Sequence, residues 1–420
     1  MNAITPALRL RACPDARRIV RTRGLRGLID GLVAVILPGY LLARGLSTVQ
    51  IGAVITTTLL GSAAVTLLVG LRGGVVPRRL LLQGMAVVMV LTGLGFATVG
   101  TFAGLLVLAA LGTINPSSGD VSGFLPIEQA LLPDAVAPNN RTAVFARYSL
   151  IAALAGAIGA LAAGVPALVA RHTSVSVVEA ERAVFVAYAA VGVVLLLQYR
   201  HLTIGATHPA GQPPSRLGPS RSLVYRLAGV FSLDALGGGF AVQSILVLWL
   251  SLRFDLSTAA SGAVFFWSGL LSASSALLAP RLARRIGLIR TMVYTHLPAN
   301  ALLMAAALMP NAGLAVACLL TRSLLSQMDV PARTSYVMAI VRPEERAAAA
   351  SVTNVPRSLA AALPPLAAGW MLDHSTFGWP LLIAGGLKAV YDLSLLALFH
   401  DIRPDEERPP PRRARSETPS

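Results

Sequence analysis

The sequence is poor in charged residues and in cysteine. Only 13% of its 420 residues are charged and 55% are hydrophobic, whereas about a quarter of a soluble domain is charged. The composition therefore excludes a soluble globular protein. The two cysteines are Cys13, in a basic N-terminal segment, and Cys318, in an apolar run. Because of this placement, we expect neither a structural disulfide nor a thiolate metal site.

Acidic residues and lysine are also scarce. The chain has 19 Asp and Glu against 35 Lys and Arg, which gives a net charge of +16, and its one lysine is Lys388. A nucleic-acid-binding protein can carry such a charge, but here the arginines are spread over the loops that flank apolar runs. The six histidines form no pair at i,i+4 spacing within those runs, and the sequence shows no nucleophile–base pair. We therefore predict no nucleic-acid partner, no metal or cofactor, and no catalytic residue.

Long apolar runs make up most of the chain. A membrane-spanning helix needs about 20 apolar residues, whereas the strands of a membrane barrel are about 10 residues long and alternate between apolar and polar side chains. Twelve continuous runs of helical length predict an all-α membrane protein with twelve transmembrane helices. These predicted spans, numbered 1 to 12, cover residues 25–44, 50–70, 79–98, 102–126, 143–170, 183–200, 224–250, 258–280, 290–309, 312–335, 347–371 and 377–400.

Arginine is concentrated on alternate loops. The N-terminal segment, the loops after spans 2, 4, 6, 8 and 10, and the C-terminal tail hold most of the arginines. The other loops hold Arg44, Arg171, Arg182 and Arg253. Since positive charge marks the cytoplasmic side, we predict a multi-pass protein of a bacterial inner membrane with both termini in the cytoplasm. The basic loops are expected to contact anionic membrane lipids.

A repeated stretch divides the chain into two similar halves. The stretch LSTVQIGAV returns 210 residues later as LSTAASGAV, with six of nine positions identical. Asp30 and Asp234 recur at nearly the same spacing, as do the segments 126–141 and 331–346. Markers in the same order and at similar spacing indicate that a six-span unit has been duplicated.

The duplication predicts two six-helix bundles joined by a polar linker. Two parallel halves of this kind occur in transporters, in which one half rocks against the other and exposes a central site to each side in turn. The predicted divisions are a basic cytoplasmic arm at 1–23, an N-terminal bundle at 24–200, a cytoplasmic linker at 201–223, a C-terminal bundle at 224–400 and a disordered tail at 401–420.

The loop between spans 2 and 3 carries part of a family signature. The signature has the form G-x-x-x-D-R-x-G-R-R, and this chain keeps the first glycine as Gly70 and the closing arginines as Arg78 and Arg79, with glycine at the aspartate position. The loop after span 8 repeats the basic turn at Arg284 and Arg285. Together with the six-plus-six layout, these motifs make the chain resemble the major facilitator superfamily over its whole spanning length.

That resemblance implies a monomeric secondary transporter that moves a small-molecule substrate by alternating access. In the family, spans 1, 4, 7 and 10 line the central cavity. The polar residues that we expect in the wall of this cavity are Tyr40, Asn115, Asp120, Gln243, Arg322, Gln327 and Arg357.

The glycines of span 5 bear on the direction of transport. The stretch from Gly156 to Pro166 resembles a glycine-rich stretch of family exporters that exchange solute for protons, although the spacing departs from it. This favours proton-coupled efflux of drug-like or metabolic compounds. The alternative is uptake of a small nutrient or anion, with Arg322 or Arg357 as its ligand, and a non-transporting membrane sensor is more remote.

Acidic residues inside spans need a specific reason, since each charge costs at least about 2.5 kcal/mol there. Asp30 and Asp234 are proton-coupling candidates, because a carboxyl group in an apolar cavity can be protonated near neutral pH. Structural ion pairing is an equal alternative for both. The i,i+4 pair Lys388 and Asp392 is expected to satisfy its own charges.

Other charged residues lie near the predicted cytoplasmic ends of spans. There they predict ion pairs that latch a gate. The candidates are Glu128 with Arg141 or Arg147, Asp329 with Arg333, and Arg346.

The repeated stretch itself is predicted to be structural. Ser47 and Ser257 precede spans 2 and 8 and have the residue type of helix N-caps. Gly52 and Gly262 follow them and would let neighbouring helices approach closely.

Overall fold

The computed structural model describes residues 14–72, 76–117, 122–137, 140–204, 218–342 and 345–399. All regular secondary structure in these residues is helical, which confirms the predicted all-α class. The α-helices are α1 (Pro14–Ala43), α2 (Thr48–Arg72), α3 (Arg78–Thr98), α4 (Phe102–Ala110), α5 (Phe124–Leu131), α6 (Arg141–Leu161), α7 (Val165–His172), α8 (Val177–Arg200), α9 (Arg221–Phe240), α10 (Gln243–Phe254), α11 (Thr258–Ile286), α12 (Leu288–Leu308), α13 (Ala312–Ser323), α14 (Asp329–Ile340), α15 (Arg346–Ala362), α16 (Pro364–His374) and α17 (Trp379–Phe399).

Eight helical segments of the described chain are long and apolar enough to cross a membrane. They correspond to predicted spans 1, 2, 3, 5, 6, 7, 8 and 12, and in spans 5 and 7 they continue across a short interruption. Span 9 is the single helix α12, whereas spans 4, 10 and 11 are each divided into two shorter helices. Helix therefore occupies every predicted span, but the count of twelve depends on joining short helices into pairs.

The interruptions of spans 4 and 7 meet each other in space. Between α4 and α5 the chain turns at Gly112, whose φ of +66° favours glycine. At the start of α10, the backbone N–H of Ser244 donates to the carbonyl of Pro116 at 3.0 Å, and its hydroxyl donates to the carbonyl of Ala34 at 2.7 Å. Irregular backbone is tolerated at membrane depth when other protein groups satisfy its hydrogen bonds. Here Ser244 of the second half donates to two carbonyl oxygens of the first half.

The first helix begins earlier than the sequence predicted. Pro14 and Asp15 form its first turn, where proline and acidic residues are favoured. The Asp15 carboxylate also accepts hydrogen bonds from the backbone N–H groups of Thr203 and Ile204 at 2.9 and 3.0 Å. Residues 14–23 of the predicted arm therefore belong to α1, and its start is attached to the chain just after α8.

The repeated stretch forms equivalent seams between the two halves. The Ser47 and Ser257 hydroxyls accept hydrogen bonds from backbone N–H groups of the next helix at 3.3 and 3.2 Å, as expected of N-caps. A Cβ atom on Gly52 would lie 2.4 Å from the carbonyl oxygen of Pro365 in α16, and one on Gly262 would lie 2.3 Å from that of Ala160 in α6. Each copy therefore packs its helix against the opposite half at a distance that only glycine permits.

Replacing either seam glycine with valine is expected to loosen the contact between the halves. Overpacking a tight site costs about 1–3 kcal/mol, so Gly52→Val and Gly262→Val should each lower the thermal midpoint of the detergent-purified protein and reduce transport. Gly84→Val in α3 is the matched control, because no atom lies within 4 Å of a Cβ atom built there. Equal midpoints for all three variants would contradict the seam.

Candidate functional site

The larger cavity, of about 700 Å³, lies between the two halves. Its walls come from spans 1, 4 and 5 of the first half and spans 7, 8 and 10 of the second half. Asp30, Asn115, Gln243 and Gln327 line it. The sequence proposed Asn115, Gln243 and Gln327 as cavity residues and Asp30 as a proton-coupling candidate, and their roles in transport stay predictions. A cavity of this size is within the usual range for small-molecule sites.

A smaller and more polar cavity, of about 200 Å³, continues into the second half. Gln243 and Gln327 belong to the walls of both cavities, as do Phe265, Ser268 and Ser272 of α11. The two cavities therefore adjoin along α11, and a solute in the larger one is next to the polar wall of the smaller one.

Asp234 forms the centre of a buried ion cluster in this smaller cavity. Its Oδ1 accepts a hydrogen bond from Lys388 Nζ at 2.5 Å, and its Oδ2 accepts one from Arg333 Nη1 at 2.9 Å. Arg333 also pairs with Asp329 at 3.3 Å, as their i,i+4 spacing predicted. Asp234 on α9 thus connects α14 and α17, and all its charged partners belong to the second half.

The predicted pairing of Lys388 with Asp392 is wrong. Lys388 turns to Asp234, whereas Asp392 accepts hydrogen bonds from Asn300 Nδ2 at 2.8 Å and contacts His296 Nδ1 at 2.9 Å. The two residues share one face of α17, but other helices approach that face at both positions. Each side chain therefore finds its partners across a helix interface and not along its own helix.

Arg322 and Arg357 line the smaller cavity in a different way. Their guanidinium groups have no acidic partner within 4.0 Å among the described residues, and the Nε atoms of both are buried without a hydrogen-bond partner. The basic residues in this wall are Arg322, Arg333, Arg357 and Lys388, and the acidic ones are Asp234 and Asp329. With histidine neutral, the wall therefore carries an excess of two positive charges.

Glu128 is the centre of a second buried cluster, in the first half. It is fully buried, and its carboxylate pairs with Arg26 at 2.5 Å. It also accepts hydrogen bonds from the hydroxyls of Tyr148 and Tyr199 at 2.6 Å each and of Thr22 at 3.3 Å. Three helices of the first half, α1, α6 and α8, are thus connected to α5 through one carboxylate.

Glu128 therefore pairs with Arg26 and not with its predicted partners, which were Arg141 and Arg147. The sequence grouped Arg26 with the N-terminal arginines, although it falls at the start of predicted span 1, and in the structure it lies inside the bundle, where it is 1% exposed. Its guanidinium also stacks over the Phe124 ring at 4.4 Å. The gate role predicted for Glu128, Asp329 and their partners stays a prediction, because each pair observed lies within one half.

The basic turn after span 2 contacts neighbouring helix ends. Arg78 donates to the carbonyl of Ala130 at 3.1 Å, and Arg79 donates to that of Leu202 at 3.3 Å. Gly70 belongs to α2. The corresponding arginine pair at the end of α11 is exposed. These contacts attach the turn to spans 4 and 6 of its own half.

The sequence also predicted functional roles for Tyr40, Asp120 and Arg346. Tyr40 is fully buried away from both cavities, where its hydroxyl donates to the carbonyl of Phe96 at 2.9 Å and its ring packs on Phe185. Asp120 lies outside the described residues, as does the side chain of Arg346. Tyr40 was misplaced because a tyrosine on a cavity span also fits the packing face of that span.

The sequence did not identify Arg26, His296 or Asn300 as members of buried clusters. His296 and Asn300 share one face of α12 at i,i+4 spacing, which was a usable signal. Arg26 carries no comparable signal, because an arginine close to other N-terminal arginines also fits the rule that positive charge marks the cytoplasmic side.

Comparison with known proteins agrees with this architecture. The sequence model of the Major Facilitator Superfamily matches residues 22–326. An uncharacterized membrane protein of Saccharomyces cerevisiae, YJR124C, is 26% identical over 411 residues, which cover 89% of this chain and 92% of the yeast protein. It carries no assigned function, so the inference about function comes from the site.

Solved structures show the same fold. An inward-facing, unoccupied bacterial homolog of the human lysosomal transporter Spinster has a TM-score of 0.68 at 15% identity, with 94% of this chain and 96% of that chain covered. The human organic anion transporter MFSD10 has a TM-score of 0.61 at 18% identity, with 90% and 99% covered. The family and its fold are those of transporters rather than enzymes, and the chain is a multi-pass integral membrane protein that belongs to the Major Facilitator Superfamily.

Proposed function

We propose that this protein is a secondary transporter that moves a small organic anion across the membrane by alternating access. The observation that carries the substrate class is the pair Arg322 and Arg357 on the wall of the smaller cavity, without acidic partners among the described residues. Most charges inside membrane helices are paired. A cavity wall that holds two unpaired guanidinium groups next to a solute compartment is suited to a carboxylate or a phosphate, which binds the planar donors in pairs.

The shape of the larger cavity supports access from one end of the bundle. Along α1 its lining begins at Arg23 and ends at Gly31, which is about 12 Å at 1.5 Å per residue. Beyond that point, Val33 to Leu37 are fully buried. At the far end, Thr48 Oγ1 donates to Asp373 Oδ1 at 2.8 Å and joins the two halves. The cavity thus approaches the end that holds the start of α1, which is the predicted cytoplasmic end.

The direction of transport and the coupling ion are separate questions. The glycines of span 5 favoured proton-coupled export, but they have a packing role: a Cβ atom on Gly159 would overlap the carbonyl of Leu28, and one on Gly31 would overlap that of Gly156. Helix packing alone accounts for these glycines. Export of drug-like compounds therefore loses its main support, and an anionic substrate is favoured by the charge of the wall.

Transport by purified protein in proteoliposomes tests the proposal. The panel consists of radiolabelled benzoate, succinate, citrate and phosphoenolpyruvate, with glucose and choline as neutral and cationic controls. We expect exchange of at least one anion and of neither control. Because unpairing a buried charge pair in a complex costs about 2–5 kcal/mol, Arg322→Gln and Arg357→Gln should each lower kcat/KM by roughly 30-fold or more.

Two comparisons sharpen this test. Arg147→Gln is the matched control, because Arg147 is partly buried on α6 but lines neither cavity. Arg322→Lys keeps the charge and loses the planar donors, so it should retain part of the activity. Transport of glucose or choline alone, or full anion transport by both glutamine variants, would refute an anion site at these arginines. Repeating the assay with the anion gradient reversed tests the direction of transport.

A further inference from the structure

We infer that His296 and Asp392 form a proton-binding site, and that a proton bound there is carried together with the anion. This inference rests on the proposed function. It assigns the proton to a histidine–carboxylate pair and not to Asp234, the sequence candidate. Asp234 already accepts hydrogen bonds from Lys388 and Arg333, so its two oxygen atoms are each occupied by a cation.

The geometry places an imidazole between two carboxylates. His296 Nδ1 lies 2.9 Å from Asp392 Oδ1, and its Nε2 lies 3.9 Å from Asp234 Oδ1. The other oxygen of Asp392 is held by Asn300 at 2.8 Å. A neutral imidazole donates from one nitrogen only, whereas a protonated one donates from both. The Nδ1 atom therefore has a carboxylate acceptor within hydrogen-bond distance, and Asn300 Nδ2 also lies 3.3 Å from it. An additional proton at Nε2 would point toward the Asp234 carboxylate, which lies 3.9 Å away.

The site has a route for the proton. His296 belongs to the lining of the smaller cavity, whereas Asp392 is fully buried behind it. A proton from the cavity thus reaches the pair through the imidazole, and the carboxylate stabilises the imidazolium that results. The rings of Tyr391 and His296 pack in a T-shaped arrangement, with 5.8 Å between their centroids.

Protonation of His296 would also act on the ion cluster. A positive charge on the imidazole would attract Asp234 Oδ1 from 3.9 Å, and Lys388 contacts the same oxygen atom at 2.5 Å. The charge on α12 would then be linked to the contact between α9 and α17. This gives a bound proton a means to alter how two helices of the second half are held together.

The surrounding charges determine the sign of the coupling between proton and anion. The charged and titratable groups that line the smaller cavity with His296, or contact it, are the basic residues Arg322, Arg333, Arg357 and Lys388, the acidic residues Asp234, Asp329 and Asp392, and Tyr391. With histidine neutral and tyrosine un-ionised, these groups sum to one positive charge. A bound proton makes this two, and a bound anion offsets it.

Each ligand therefore increases the affinity of the site for the other, and the two effects must be equal. Cooperative binding of this kind favours a carrier that moves proton and anion in the same direction. Antiport of the two would require the opposite sign, in which the proton displaces the anion.

Proteoliposomes with the four labelled anions of the panel test this coupling. An imposed pH gradient, acidic on the side of the label, should drive accumulation in the wild type at least 10-fold above the level without a gradient. In His296→Gln, exchange of internal for external anion should continue with a higher KM, because exchange needs no net proton movement but the proton no longer increases the affinity for the anion. Accumulation driven by the gradient should be lost. His374→Gln is the matched control, since His374 is exposed at the end of α16.

A binding measurement on the wild type covers the case in which His296→Gln does not fold. Adding the transported anion to wild-type protein in weakly buffered detergent, with a pH-indicator dye, should cause proton uptake from solution. Asp392→Asn should reduce that uptake. Anion exchange with no response to the gradient and no proton uptake would overturn the coupling and leave the proposed function in place. No exchange of any anion by the wild type would overturn the proposed function itself.

Discussion

Asp234→Asn is expected to destabilise the second half by about 3–5 kcal/mol, the usual effect of removing one partner of a buried ion pair. The substitution leaves Lys388 and Arg333 without the carboxylate that both contact. It also raises the positive charge of a wall that already carries an excess. The expected readout is a lower thermal midpoint in detergent together with the loss of anion transport.

The double variant Asp234→Asn/Lys388→Met separates stability from transport. Removing the lysine together with the carboxylate restores the charge balance, so the thermal midpoint should recover in large part. Recovered stability with recovered transport would assign Asp234 to structural pairing. Recovered stability without transport would assign it to the transport cycle. A single variant as stable as the wild type would contradict the buried pairing that the structure shows.

Arg26→Met is expected to have an effect of similar size in the first half. It leaves Glu128 charged and fully buried, with only hydroxyl donors around it. We expect a loss of about 3–5 kcal/mol, seen as a lower thermal midpoint and reduced yield of monodisperse protein. The double variant Arg26→Met/Glu128→Gln removes both charges and keeps an acceptor for the two tyrosines, so it should be more stable than the single variant.

Arg78→Met is the matched control for this experiment. Arg78 pairs with Asp134 at 3.7 Å, but Asp134 is 61% exposed. Exposed pairs contribute about 0–1 kcal/mol, so the midpoint of this variant should stay near that of the wild type. A midpoint for Arg26→Met equal to that of Arg78→Met would show that the Arg26 interaction is no stronger than a surface pair.

The two buried clusters occupy related places in the duplicated halves, with the signs of charge exchanged. In the first half a base on span 1, Arg26, pairs with an acid on span 4, Glu128. In the second half an acid on span 7, Asp234, pairs with a base on span 10, Arg333. Glu128 and Arg333 are 205 residues apart, which is the spacing of the repeat. The duplication kept an ion pair between the first and fourth spans of each half while its polarity was reversed.

This reversal makes the two halves unequal toward a charged solute. In the first half the acid is enclosed by tyrosines and takes no part in the lining of the larger cavity. In the second half the bases outnumber the acids on a cavity wall. The anion site that we propose is therefore asymmetric, although the scaffold that holds it is nearly symmetric.

The sequence alone determined the features that depend on local order along the chain. Apolar runs of helical length predicted helix in every span, because a membrane requires backbone groups to bond within a segment. The repeated LST…GAV stretch predicted N-caps at Ser47 and Ser257 and close helix contacts at Gly52 and Gly262, and both are present. Caps and small-residue contacts depend on a few neighbouring residues, so a short motif is sufficient to predict them.

Only the tertiary structure decided which charged residues meet. Lys388 and Asp392 are correctly spaced to pair on α17, yet each finds its partner on another helix. Arg26 is one of many arginines at the N-terminus, yet it is buried in an ion pair with Glu128 of α5. Inside a membrane protein, a charged side chain pairs with the groups that lie within a few ångströms, and the rotation and packing of whole helices determine which groups those are.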